Sequence, residues 1–143
     1  MGKVKTNIEF KFIESWPEED IVDLYKAGGW WKGPYDSSGI ESLIKGSFAF
    51  AVAVDKKLKK AIGMGRIISD GVSDAYFQDI VVLLEYRNQG IGKKLIELLL
   101  ERCKSSGISW IGLIAEPDQD VFYNPIGFRP MKKHIPMKYE KED

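Results

Sequence analysis

Six consecutive residues, Arg87-Asn88-Gln89-Gly90-Ile91-Gly92, set two glycines one residue apart where an amphipathic helical pattern begins. A helix start carries N–H groups that have no partner within the helix, together with a partial positive charge, so it binds phosphate oxygens. Glycine lets the preceding turn adopt positive φ and brings the main chain close to a ligand. The N–H groups of Gly90 through Lys93 can then converge on one anionic group, with Arg87 and Lys93 adding charge. Other chemistry is limited by what the chain offers. Cys103 is the only cysteine and His134 the only histidine. An internal disulfide framework is therefore excluded and no Cys/His metal site is expected. A Ser-His or Cys-His nucleophile would need His134, which reads more simply with Lys132 and Lys133 as a solvated turn.

These residues must be positioned by a chain of 143 residues in which basic and acidic side chains number 21 each. Such balance gives no bulk pull toward nucleic acid or anionic membrane. No stretch is long and apolar enough to cross a bilayer, and Met1–Lys5 opens no signal-peptide pattern. A reduced, cytoplasmic setting is expected. The length suits a single domain over 1–143, without repeats or linkers.

A first strand is expected over Asn7–Ile13, then a helix capped by Ser15 with Pro17 and acids in its first turn. Ile21, Leu24 and Tyr25 form its inner face, and Gly28-Gly29 ends it. A loop holding Trp30, Trp31 and Tyr35 precedes a short helix over Ile40–Lys45. Phe48–Val54 and Ala61–Ser69 read as a hairpin, followed by a strand over Tyr76–Leu83. On that strand, alternation puts Tyr76, Gln78, Ile80 and Val82 on one face and Asp79 on the other. The helix after the glycine loop buries Ile91, Leu95, Leu98 and Leu99 and stops at Gly107. Cys103 reads as a buried thiol on it. A strand over Trp110–Ala115, a short helix near Asp120–Asn124 and one or two final strands complete the chain. A hairpin meander followed by a β-α-β unit means a mixed sheet in an α/β or α+β domain.

Three phosphate-binding patterns compete for the loop. An ATP-type P-loop needs Ser or Thr where Lys94 stands and a glycine where Arg87 stands; a dinucleotide fingerprint needs a glycine at Leu95. The third, Arg/Gln-x-x-Gly-x-Gly/Ala, begins the long helix of the GNAT acyltransferases and is matched position for position by residues 87–92. The preceding DIVVLLEYR at 79–87 resembles that family's strand and turn, and FYNPIGF at 122–128 resembles its Phe-Tyr-x-x-x-Gly-Phe signature. The chain is therefore similar to GNAT acetyltransferases over nearly its whole length. That resemblance implies a mixed six- to seven-stranded sheet flanked by about four helices, and acetyl-CoA as the co-substrate.

It also implies roles for particular residues. Arg87, Asn88, Gln89, Gly90, Ile91, Gly92 and Lys93 would hold the pyrophosphate, while the main chain of Ile80, Val81 and Val82 pairs with the pantetheine arm like a missing strand. An N–H near Val82 would polarise the thioester carbonyl. The amine attacks directly in a ternary complex, with Tyr123 as general acid toward the thiolate, or else a core tyrosine of its short helix. Pro125 removes an N–H and disfavours helical geometry at Asn124. Asp79 is the carboxylate candidate for general base, or a structural Asp, with Gln78 or Tyr76 orienting a water instead. Glu116 stands where many relatives have a coenzyme-binding Asn. Trp30, Trp31 and Tyr35, with Gln78, would border the acceptor, or the tryptophans anchor their loop to the core.

The run 66–82, with Gly29-Trp30-Trp31 upstream, further resembles small arylalkylamine (serotonin-type) N-acetyltransferases. This leans toward a small, aromatic amine as acceptor and a monomer or homodimer. Two alternatives remain open: acetylation of a protein N-terminus or lysine, and a non-catalytic CoA-binding sensor.

Overall fold

The computed structural model describes residues 7–31 and 36–140, so Tyr35 lies outside the described residues. The chain forms two compact units, Met1–Leu113 and Ile114–Asp143.

In the first unit, β2 (Ala49–Asp55) and β3 (Lys60–Ser69) are almost wholly apolar and sit at the centre of the sheet, buried on both faces. They pair antiparallel with each other; β1 (Ile8–Phe12) adds to β2 and β4 (Asp74–Val82) to β3, also antiparallel. The fifth strand, β5 (Trp110–Leu113), returns parallel to β4, as a helical crossover between them requires. Sheet order is β1-β2-β3-β4-β5.

One face of the sheet carries α1 (Glu18–Ala27) and α2 (Ile40–Gly46), whose Ile21, Leu24, Tyr25, Ile40 and Ile44 pack with Phe50, Val52, Met64 and Val81. Helix α3 (Ile91–Ser105) buries Ile91, Leu95, Ile96, Leu99 and Cys103. Each such large side chain contributes roughly 1.5–3 kcal/mol. Ile96 rather than Leu98 completes the buried stripe, because a helix lying on a broad sheet needs more than a two-residue seam. Gly63 and Gly65 on β3 let α3 approach: a Cβ at Gly63 would lie 3.2 Å from Leu95, and one at Gly65 would lie 3.3 Å from Leu99.

Three expectations change. Helix α1 is preceded by Pro17 rather than capped by Ser15, and no side chain caps its first N–H groups; Glu18, Glu19 and Asp20 complement its positive end instead. The sheet has five strands among the described residues, not six or seven. Residues 127–140 form no strand, and Pro130 and Pro136 explain why, each removing a donor that a ladder would need. Finally, the second unit has α4 (Asp120–Tyr123) running directly into a 3-10 turn, Asn124–Ile126. Asn124 is helical (φ −53°, ψ −50°) despite Pro125. Pro125 occupies the first positions of the turn, where an N–H is not required.

Candidate functional site

The glycine loop is held by its neighbours on both sides. A 3-10 turn, Leu84–Tyr86, follows β4, and the Tyr86 hydroxyl donates to Asp55 Oδ2 at 2.6 Å, tying it to the turn end of the β2–β3 hairpin. That bond, more than burial, pushes the Tyr86 phenol up to about 12 and holds the Asp55 carboxyl below its usual range. Arg87 Nε donates to Val82 O at 2.8 Å, so the arginine braces the end of β4. Asn88 (φ 63°) and Gly90 (φ 82°) are both left-handed, which turns the chain sharply into α3.

Helix α3 begins with Gly90 as its cap and no side chain bonded to its first N–H groups; the first main-chain bond inside is Lys94 N–H to Gly90 O, 3.1 Å. The donors of Ile91, Gly92 and Lys93 thus point out of the helix start. Gln89 Oε1 is buried without a hydrogen-bond partner. An unmet buried acceptor costs about 1–3 kcal/mol, and a ligand donor would relieve it.

Above this loop, β4 and β5 pair only from Asp74–Trp110 to Phe77–Leu113. Gln78–Val82 therefore has no strand partner on its β5 side among the described residues. Ile80, Val81 and Val82 lie in this stretch, directly before the loop. Donors at the helix start, an open strand edge and the orphaned Gln89 oxygen together suit a pyrophosphate joined to an amide-bearing arm, as in coenzyme A.

Asp79 sits at an irregularity of β4. Met64 faces Val81 and Arg66 faces Gln78, so Gly65 alone stands opposite both Asp79 and Ile80. This is a β-bulge, and Asp79 takes the left-handed conformation at φ 60°. Gly65 leaves room for the bulge, since a Cβ would stand a tight 3.1 Å from Ile80 Cγ1. The bulge overturns the alternation expected along the strand. Gln78 and Asp79 now reach the same arginine: Arg66 Nε donates to Asp79 Oδ2 at 2.7 Å and Nη2 to Gln78 Oε1 at 3.5 Å.

Asp79 Oδ2 also accepts from the Tyr25 hydroxyl at 2.7 Å. Burial first, and then this bond, drive the Tyr25 phenol far above its usual value, so it remains a donor. Tyr25 is brought there by the docking of α1: Asp20 Oδ2 accepts from Ala61 N–H of β3 (3.0 Å) and from the Trp16 indole (2.8 Å). Tyr25 and Arg66 are the site residues that sequence reasoning did not assign. Tyr25 was visible only as a core position of a helix, and Arg66 only as one charge on an apolar strand.

Trp30 and Trp31 join this cluster. Gly29 (φ 81°) reverses the chain after α1, and the Trp30 ring folds back over Gly28, where a Cβ would stand 2.5 Å from the indole. Their rings lie 6.1 and 6.4 Å from that of Tyr25, and both are half-buried against the core. They thus anchor their loop and still border Tyr25, whose hydroxyl meets Asp79.

In the second unit, the Tyr123 ring lies edge-on to Phe122 (4.9 Å) and Phe128 (5.8 Å). Burial, then Glu116, raise its phenol above the ordinary value and keep it protonated.

Comparison with known proteins follows the same lines. The family described as "Acetyltransferase (GNAT) domain" matches residues 46–130. An uncharacterized N-acetyltransferase, ycf52, from Pyropia yezoensis is 31% identical over 136 residues, covering 90% of this chain and 76% of that protein. The chain spans under half the length of two chloroplastic GCN5-related N-acetyltransferases from Arabidopsis thaliana, matching 47% and 45% of them. Among solved structures, a GNAT-family acetyltransferase from Streptococcus pneumoniae TIGR4 superposes with a TM-score of 0.78 at 27% identity, over 95% of this chain and 99% of that one. The fold also matches AAC(6')-Iy, solved with a CoA-containing bisubstrate analogue (TM-score 0.73, 17% identity, 95% of this chain and 100% of that one).

Proposed function

Because the chain belongs to the GNAT acetyltransferase family, we propose that it moves an acetyl group from acetyl-CoA to the nitrogen of a small primary amine bearing an aromatic or hydrophobic group. The observation that carries the acceptor class is Tyr25, which meets the Asp79 carboxylate through its hydroxyl and the rings of Trp30 and Trp31 through its own. Aromatic faces suit an apolar amine body, and a carboxylate suits its ammonium end.

The loop Arg87–Lys93 holds the coenzyme's pyrophosphate, and the main chain of Ile80–Val82 holds its amide arm. Bound there, the coenzyme supplies an activated acyl group. Asp79 takes a proton from the acceptor ammonium, which frees the nitrogen lone pair for attack. An N–H near Val82 donates a hydrogen bond to the carbonyl oxygen and stabilises the negative charge that develops there. Tyr123, the family-motif tyrosine, gives its proton to the departing thiolate, and the phenolate so formed recovers a proton as the new amide nitrogen sheds its second one. No acyl-enzyme is needed, and the single cysteine, Cys103, is buried with its thiol raised by that burial.

The family match spans both compact units, which supports reading 1–143 as one domain. A single sheltered thiol also supports a reducing compartment such as the cytoplasm. No helix of the described residues is long and apolar enough to cross a membrane.

The test is a panel of acceptors with acetyl-CoA and free-thiol detection: 2-phenylethylamine, tryptamine, putrescine, a peptide with a free N-terminus and a lysine peptide blocked at its N-terminus. The arylalkylamines should give the highest kcat/KM. Turnover of the peptides alone would replace the small-amine reading by protein acetylation. Binding of acetyl-CoA without any turnover would make the chain a sensor.

A further inference from the structure

Asp79 is held more firmly than catalysis by a lone carboxylate needs. It is a non-glycine residue in left-handed backbone at the centre of a strand, a conformation that costs about 1–3 kcal/mol. Its side chain accepts two bonds of 2.7 Å, from Tyr25 on α1 and Arg66 on β3, and both land on the same oxygen, Oδ2. The arginine and aspartate side chains are only 17% and 19% exposed. Arg66 is itself steadied by long contacts of Nη1 to Ser47 Oγ and Nη2 to Gln78 Oε1. The titratable groups facing the carboxylate are thus Tyr25 and Arg66; Gln78, its neighbour on the strand, is uncharged.

From this geometry we infer that Tyr25 and Arg66 are positioning residues for Asp79, holding Oδ2 so that Oδ1 is presented to the acceptor nitrogen. This rests on the reading of Asp79 as the base. The two donors divide the carboxylate: one oxygen fixes its orientation and the other takes the proton. Two donors from separate elements lock both the tilt and the rotation of a carboxylate on a short side chain, whereas one would leave it free to pivot. The bulge is what turns Asp79 toward them, since regular alternation would direct it to the opposite face of the sheet.

The experiment is a double-mutant cycle with the fastest acceptor of the five-member panel, measuring kcat, KM for acetyl-CoA and the thermal midpoint. Asp79→Asn should lower kcat by about 10²–10⁴. Tyr25→Phe keeps the ring and should lower kcat about tenfold, the worth of one hydrogen bond, with KM for acetyl-CoA unchanged. Added to Asp79→Asn, it should cost nothing more, because no base remains to be positioned. Arg66→Lys keeps the charge, loses the planar donor, and should behave like Tyr25→Phe; it carries the test should Tyr25→Phe not fold. An unchanged kcat in Tyr25→Phe and Arg66→Lys, or full additivity with Asp79→Asn, overturns the positioning role while leaving the base in place. An unchanged kcat in Asp79→Asn overturns the base itself. A parent that acetylates none of the panel overturns both.

Discussion

The glycine loop and the Asp79 bulge follow one another along the chain, yet they are built in opposite ways. The loop offers main-chain donors from consecutive residues, Ile91 to Lys93, and its geometry is set by two left-handed residues of its own. The bulge offers one side chain whose direction depends on Tyr25, Arg66 and Gly65, drawn from a distant helix and the adjacent strand. Anion binding by a helix start needs only local geometry, so a short motif can carry it. Orienting a carboxylate needs partners that converge in space, and no contiguous motif can encode that. A change in the loop should therefore remove donor binding and turnover with it, whereas a change in the bulge should lower turnover and leave donor binding intact.

The largest effect that would break this separation comes from Asp79→Asn. Its kcat should fall by about 10²–10⁴ while acetyl-CoA still raises the thermal midpoint as in the parent; loss of that stabilisation would show that the two regions are one. Gly90→Glu is the converse. If the loop holds the pyrophosphate as proposed, a carboxylate at its left-handed cap would repel it, so acetyl-CoA at about a hundred times the parent's Kd should no longer give its ~2.7 kcal/mol of stabilisation in a melting experiment. A midpoint shift equal to the parent's would displace the loop from the donor site. Next, Tyr123→Phe should keep acetyl-CoA binding by calorimetry and lose about 10²-fold in kcat if the phenol is the acid; unchanged turnover removes it from the mechanism. The smallest effect sharpens the bulge. With its phenol raised, Tyr25 binds its proton more tightly folded than unfolded, so its contribution is complete below the ordinary value of about 10 and fades as pH rises beyond it. Parent stability in urea should decline above pH 10 more steeply than that of Tyr25→Phe.

Much of the framework was legible beforehand. The order of elements from β1 to α4 follows from apolar periodicity, from Gly28-Gly29 and Gly107 as stops, and from charged turns such as residues 55–60. The final strands were not legible, because hydrophobic side chains in residues 131–140 suggest a strand while Pro130 and Pro136 deprive it of donors. The facing of Asp79 departs from simple alternation for a different reason. Alternation holds only while each residue has one partner, and Gly65 has two. Of the two readings open for Trp30 and Trp31, the structure shows the anchoring one, since both rings pack on the core beside Tyr25.

By itself, the sequence determined the helix-start loop, the strand leading into it and the kinship with GNAT acetyltransferases. All of these rest on residues adjacent in the chain, where spacing alone fixes which main-chain groups meet. Only the tertiary structure decided that Asp79 turns toward α1, that Tyr25 and Arg66 share one of its oxygens, and that the loop tryptophans pack beside the Tyr25 ring. A single inserted residue opposite Gly65 reverses the direction of a side chain. Its energetic cost is offset only by partners that folding brings from 54 and 13 residues away.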